Sequence, residues 1–281
     1  RVLFRSGLRS RASRSPGGRE ADAADRADLT TFAVRARRLD DAAVLRIRGR
    51  DDTAVTTWFA TGFDVLACRV LNGTVRPDDL SAAADALIEG LAAGGRSGYV
   101  DPGYAMDSAW RGVLPPRTGY VHLDDVPARV VLDLAQRGVA LAREHGGAQG
   151  PPVSLLDQEV LAVSSGEHTV GVPMRCVFAL TAMGFLPQST DATDDFSPGS
   201  VPADEVVRVR VAPTWLRIDA LLRRGPVIVR AALSDEDGLE RPDIDAPRAR
   251  RRWPPAPARS TRGRTSSAPH SAAPPHRRSS A

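Results

Sequence analysis

The sequence predicts an α+β protein: a four-stranded antiparallel meander with a covering helix, followed by a helical module that ends in paired strands. Three observations carry this. Between residues 31 and 75, four short runs rich in Val, Leu, Phe, Trp and Thr are separated by turn-forming clusters. The stretch "RPDDLSAAADALIEGLAAGG" then places Leu80, Ala84, Leu87, Ile88 and Leu91 on one helical face. Beyond residue 125, apolar stretches at helical spacing precede the alternating run "EVVRVRVAPTWLRIDA".

In order, the predicted strands are "TFAVRARR", "AAVLRIR", "AVTTWFAT" and "VLACRVLNGTV", divided by "LDD", "GRDD" and "TGFD". Pro77 suits a first helical position, Asp78 and Asp79 suit the positive end of the helix dipole, and Gly94 is a stop signal. Side chains alternate along a strand, so Arg35 and Arg37 should share one face of the first strand, and Arg46 and Arg48 one face of the second. In register, the four guanidiniums form a candidate site for an anion or an acidic partner. The alternative is a solvated face written in arginine.

That choice of residue is general. All 38 basic residues are Arg and none is Lys, and Asn72 stands alone among 281 residues, a composition typical of a GC-rich bacterial genome. The absence of Lys excludes the Walker A loop, the kinase strand lysine and every lysine Schiff-base mechanism. The charge is uneven along the chain. Residues 31–222 hold 18 Arg against 24 acids, a net of −6, while 1–30 hold seven against four and 223–281 hold 13 against six. Cys68 and Cys176 lie in apolar contexts and are expected as buried thiols, with neither a bridge nor a metal. Without a long apolar run, a membrane span is not expected and a cytoplasmic location is.

The stretch from 98 to 125 is too long for a simple connection and offers His122, Asp107 and Asp124 as candidate acid–base or metal-binding groups. The competing assignment is structural: "DPG" is turn chemistry and Asp124 or Asp125 is a helix N-cap. No GxSxG, HExxH, CxxC or GxGxxG pattern supports catalysis.

Asp125 should open a helix with Val131, Leu134 and Leu141 at helical spacing. "SLLDQEVLAV" reads as a second helix and "VPMRCVFALTAMG" as a third, followed by a two-stranded wing. In outline, residues 126–222 resemble the winged-helix superfamily, and the resemblance implies a module that reads DNA or contacts protein. An alternative pairs "EVLAVSS" with "HTVGVPM" as a hairpin. In the third helix Arg175 is the candidate nucleic-acid contact, but its neighbours are apolar and the module is acidic, which disfavours a duplex.

The expected organisation is 1–30 disordered or artefactual, 31–97 a meander domain, 98–124 a connecting loop, 125–222 a winged-helix-like domain, and 223–281 a disordered Arg/Pro/Ser/Ala-rich tail or a frameshifted stretch breaking near Leu221. The expected function is non-enzymatic, without cofactor or metal: an interaction module for another macromolecule, protein first. The alternatives are a nucleic-acid-binding regulator and a hydrolase or metal-dependent enzyme using 98–125.

Overall fold

The computed structural model describes residues 2–3, 16–93, 99–145, 150–166, 168–186, 201–202, 204–220 and 225–230. The first elements are β1 (Val2–Leu3), α1 (Pro16–Leu39), β2 (Val44–Gly49), β3 (Ala54–Ala60), β4 (Val65–Asn72), β5 (Thr74–Val75), β6 (Asp79–Ala83), α2 (Ala84–Ala93) and β7 (Tyr99–Val100). After a 3-10 turn, Asp107–Ala109, come β8 (Val121–Pro127), α3 (Ala128–His145), α4 (Val153–Leu156), β9 (Glu159–Ser165), β10 (His168–Pro173), α5 (Met174–Ala182), β11 (Val206–Ala212), β12 (Trp215–Ala220) and β13 (Gly225–Arg230).

Eight strands form one antiparallel sheet in the order β6-β2-β3-β4-β13-β12-β11-β8. The order reads as two mirrored halves that meet where β4 pairs with β13. In each half a helix leads into a three-stranded meander, α1 into β2-β3-β4 and α5 into β11-β12-β13. A strand that runs directly into its own helix, β6-α2 or β8-α3, closes each outer edge. Strand β1 pairs with β5 and β7, and β9 with β10.

Alternation builds the sheet's buried face. Leu45 and Ile47 of β2, Val55 and Phe59 of β3, and Val65, Ala67 and Leu71 of β4 are buried, as are Val207 and Val209 of β11 and Leu216 and Ile218 of β12. Helices cover that face. Helix α1 supplies Leu29, Phe32, Ala33 and Ala36, spaced to share one helical stripe, and α2 supplies Leu87 and Leu91. Helix α5 buries Met174 and every residue from Cys176 to Leu180. All join one apolar core.

The α+β class, the meander of β2, β3 and β4, and a covering helix agree with the sequence expectation. Several finer expectations are corrected. "TFAVRARR" is the end of α1, so residues 16–30 are helical rather than disordered, and the fourth strand of that half is β6. Leu80 lies in β6, and α2 begins only at Ala84. Residues 126–222 are not three helices and a wing. Asp124 and Asp125 lie in β8 instead of capping a helix, "EVLAVSS" and "HTVGVP" are the β9-β10 hairpin, and β11 and β12 belong to the large sheet. The chain continues as strand through 225–230, past the expected break near Leu221. The Arg-rich tail beyond Arg230 lies outside the described residues.

Gly90 of α2 runs against the backbone carbonyl of Asp101, where a Cβ would overlap it. Gly90→Ala should therefore lower stability by about 1–3 kcal/mol, as an intrusion into packed structure does. Gly62→Ala, which points into open space, should change it by less than about 0.5 kcal/mol. Urea unfolding of both variants measures the contrast.

Candidate functional site

Two surfaces flank the sheet, and the sequence-predicted residues divide between them. On the face away from the helices, the loop after β7 crosses the strands. Met106 donates its backbone N–H to the Ser81 carbonyl, and Asp107 accepts the Ser81 N–H at 2.6 Å, fixing the loop to edge strand β6. Trp110 lies 5.9 Å from the Arg46 guanidinium. Together with Leu114 and Trp215 it packs around buried Trp58 and Cys68, forming a second, smaller apolar cluster.

Arg46 and Arg48 do share this face, but Arg35 and Arg37 do not, because both lie on α1. Arg35 donates to the carbonyls of Met183 (2.9 Å) and Gly184 (3.3 Å) at the end of α5. Arg46 clasps Asp79 with two hydrogen bonds of 2.7 and 2.8 Å. The Arg46 bond holds the Asp79 carboxyl below the usual carboxylate range, and Asp79 raises the arginine in turn.

The candidate acid–base groups do not assemble. His122 is on β8 while Asp107 is fastened to β6, at the opposite edge of the eight-stranded sheet. At about 4.8 Å per strand, these edges stand roughly 34 Å apart. Asp124 accepts its neighbour's backbone N–H at 2.8 Å. His122 meets Asp125 instead, at 2.9 Å, and that carboxylate is also gripped by Arg208 at 2.8 and 2.9 Å. The Arg208 hydrogen bonds, with a smaller contribution from His122, hold Asp125 below its usual range against the opposing effect of burial. Among the described residues no group of three or more His, Cys, Asp and Glu is placed to hold a metal.

On the helical side, Arg175 is committed internally. Its guanidinium donates to the Phe63 carbonyl at 3.2 Å and pairs with Asp64 and Asp157. The cysteines are buried, and desolvation pushes both thiols up to about 12.

Sequence reasoning missed a cleft beside α5. Val139, Ala142 and Arg143 of α3 face Phe178, Thr181 and Ala182 of α5 across an open volume of about 490 Å³. Phe63, from the β3-β4 turn, forms a further wall, its ring centroid 6.0 Å from that of Phe178. One signal was present, an aromatic inside the polar turn "TGFD". Leu141, expected in the core, is 41% exposed.

Residues 19–112 match a family described as a domain of unknown function, DUF8010, and residues 115–234 match another, DUF8185. The junction between the two matches falls in the loop that crosses the sheet. No curated protein matches the chain in sequence. Among solved structures it is similar to a putative DNA polymerase III beta subunit from Eubacterium rectale, with a TM-score of 0.44, 11% identity, and coverage of 73% of this chain and 62% of that one. The Thermotoga maritima DNA polymerase III beta subunit gives a TM-score of 0.42 at 10% identity, covering 74% and 62%. A Helicobacter pylori beta clamp, crystallised with a DNA ligase peptide, gives 0.40 at 8% identity, covering 73% and 63%. The chain thus spans less than two thirds of the length of each. No helix among the described residues is long and apolar enough to cross a membrane.

The two clasped carboxylates make the fold acid-sensitive. A carboxyl that binds its proton less tightly folded than unfolded stabilises the fold above about pH 4, and the contribution disappears as pH falls through the lowered folded value. Asp79 and Asp125 both have this sign. Asp79→Asn and Asp125→Asn should each lower the melting temperature at neutral pH and flatten its fall below about pH 4. Melting curves across an acid series measure both effects.

Proposed function

We propose that the chain is a binding module without catalytic activity, holding a short apolar segment of a partner protein in the cleft between α3 and α5. The observation that carries this is the cleft. Its volume of about 490 Å³ falls in the range of about 300–1,000 Å³ common for ligand sites. Its walls include Phe63, Phe178, Val139 and Ala142, so an inserted apolar side chain would leave water for an apolar contact. Arg143 is the one charged residue lining it, and among the described residues it has no carboxylate partner. A segment with an acidic group next to its apolar anchor fits both features.

The charge distribution supports protein over duplex DNA. Residues 31–222 carry a net −6, a field that repels phosphates. Arg175, the candidate reader on α5, is held by Asp64 and Asp157, and Arg46 and Arg208 are clasped by Asp79 and Asp125.

A displayed peptide library panned against the full chain should enrich sequences that pair a large apolar residue with an acidic one. Ala142→Arg, which fills the cleft from the half-exposed face of α3, should weaken the selected peptides at least about tenfold, equivalent to roughly 1.4 kcal/mol. The melting temperature should stay unchanged. Peptides that bind Ala142→Arg as tightly as the original chain would refute the assignment.

A further inference from the structure

Arginine outnumbers carboxylate on the sheet's other face. Arg46 and Arg48 share Asp79, Arg210 and Arg217 share Asp219, and Arg208 takes Asp125. A cavity of about 210 Å³ opens on this face beneath the crossing loop, lined by four arginines: Arg48, Arg50, Arg217 and, from the loop, Arg117. No carboxylate lines it. Arg50 and Arg117 have no ion-pair partner among the described residues. The nearby Asp51 is turned into its own loop, accepting from the N–H and hydroxyl of Thr53, both at 2.8 Å. Between the arginines the lining is mostly apolar, with Trp58, Val70, Leu114 and Pro115 beside Thr56 and Thr118, and the Cys68 thiol is kept neutral because burial pushes it up to about 12.

We infer that this cavity binds a small phosphate monoester carrying one apolar ring. Arg50 and Arg117 bring to the cavity two guanidiniums with no ion pair of their own, and a dianion would supply a counter-charge while accepting charge-assisted hydrogen bonds. The apolar lining has no use for a bare inorganic ion. Arg48 and Arg217 belong to strands four apart in the sheet, roughly 19 Å at the backbone, and Trp58 and Val70 lie on strands between them, so a phosphate held by arginine leaves a ring beside apolar residues. A volume of about 210 Å³, below the usual range of about 300–1,000 Å³ for ligand sites, limits that body to a single ring. Of the four arginines expected from sequence to hold an anion, Arg48 alone lines the cavity.

Calorimetry on the full chain with phenyl phosphate, inorganic phosphate and phenol tests this directly. Phenyl phosphate should bind saturably and at least about tenfold more tightly than either fragment, a margin of roughly 1.4 kcal/mol. The double variant Arg50→Ala, Arg117→Ala should lose at least tenfold in affinity. Both side chains are exposed, so its melting temperature without ligand should match the original chain. Ala142→Arg, in the separate cleft between α3 and α5, should bind phenyl phosphate normally. The inference is overturned if phenyl phosphate fails to saturate by about 10 mM, if the double variant binds equally well, or if either fragment matches the ester.

Discussion

Phe32 of α1 stacks on Phe185, two residues beyond Met183 at the end of α5, with ring centroids 6.4 Å apart. One turn along α1, Arg35 reaches the carbonyls of Met183 and Gly184. The last carbonyls of any helix lack partners within it, and a cation there also meets the negative end of the dipole. Gly184 takes the left-handed conformation, φ +62°, that turns the chain off the helix. The Arg69 guanidinium sits 5.5 Å from the centroid of the Phe185 ring. Helices from both halves of the protein thus lock through one short segment. That joint adds to the β4-β13 ladder, to the Arg175 contacts with Phe63 and Asp64, and to the packing of Trp215 on Trp58 and Cys68, which also tie the halves together.

The placement of α5 shapes the cleft as well. Its Cys176-to-Leu180 run is buried, yet the Phe178 ring also borders the open space beside α3. The two helices are in close contact at Gly138, where a Cβ would crowd the Met174 sulfur at 2.8 Å and the Phe178 ring at 3.0 Å. One turn further along α3 the facing residue is Ala142, again small, and there the space is left unfilled. Two small residues on one helix therefore do different work: the first permits contact, and the second leaves a cavity whose apolar walls water cannot satisfy.

Much of the sheet was legible in the sequence because alternation is a local signal. The runs of β2, β3 and β4 and the pattern "VVRVRVA" of β11 each carry their own period. Helix α1 was misread because its last turns, Phe32, Val34 and Ala36, also alternate. The deciding spacing needs Leu29, which fell in the 1–30 stretch expected to be disordered or artefactual. Arg35 and Arg37 followed that error onto the wrong element. His122 and Asp124 were identified as polar groups in a long segment, but the strand pairing that puts Asp125 opposite Arg208 depends on residues 83 positions away. Long-range register decides which carboxylate meets which cation, and no local pattern encodes it.

Register also explains why the two faces of the sheet have different chemistry. On the helix side, pairing brings apolar residues opposite one another and the helices complete the burial. On the other side it sets like charges opposite, as in Arg210 against Arg217, with the Asp219 carboxylate bridging both, at 3.3 and 2.7 Å. Like charges directly opposite on a sheet are destabilising unless a counter-charge sits between them. Asp79 does the same for Arg46 and Arg48. Each shared carboxylate neutralises one arginine of its pair, so the arrangement holds the strands together and still leaves a positive surplus on the face. That surplus lies next to the loop that crosses the sheet and shields part of it from water, where a fixed charge acts more strongly than in open solvent. The carboxylates stabilise the outer face against its own repulsion, and the arginines left over give the inferred anion site its charge.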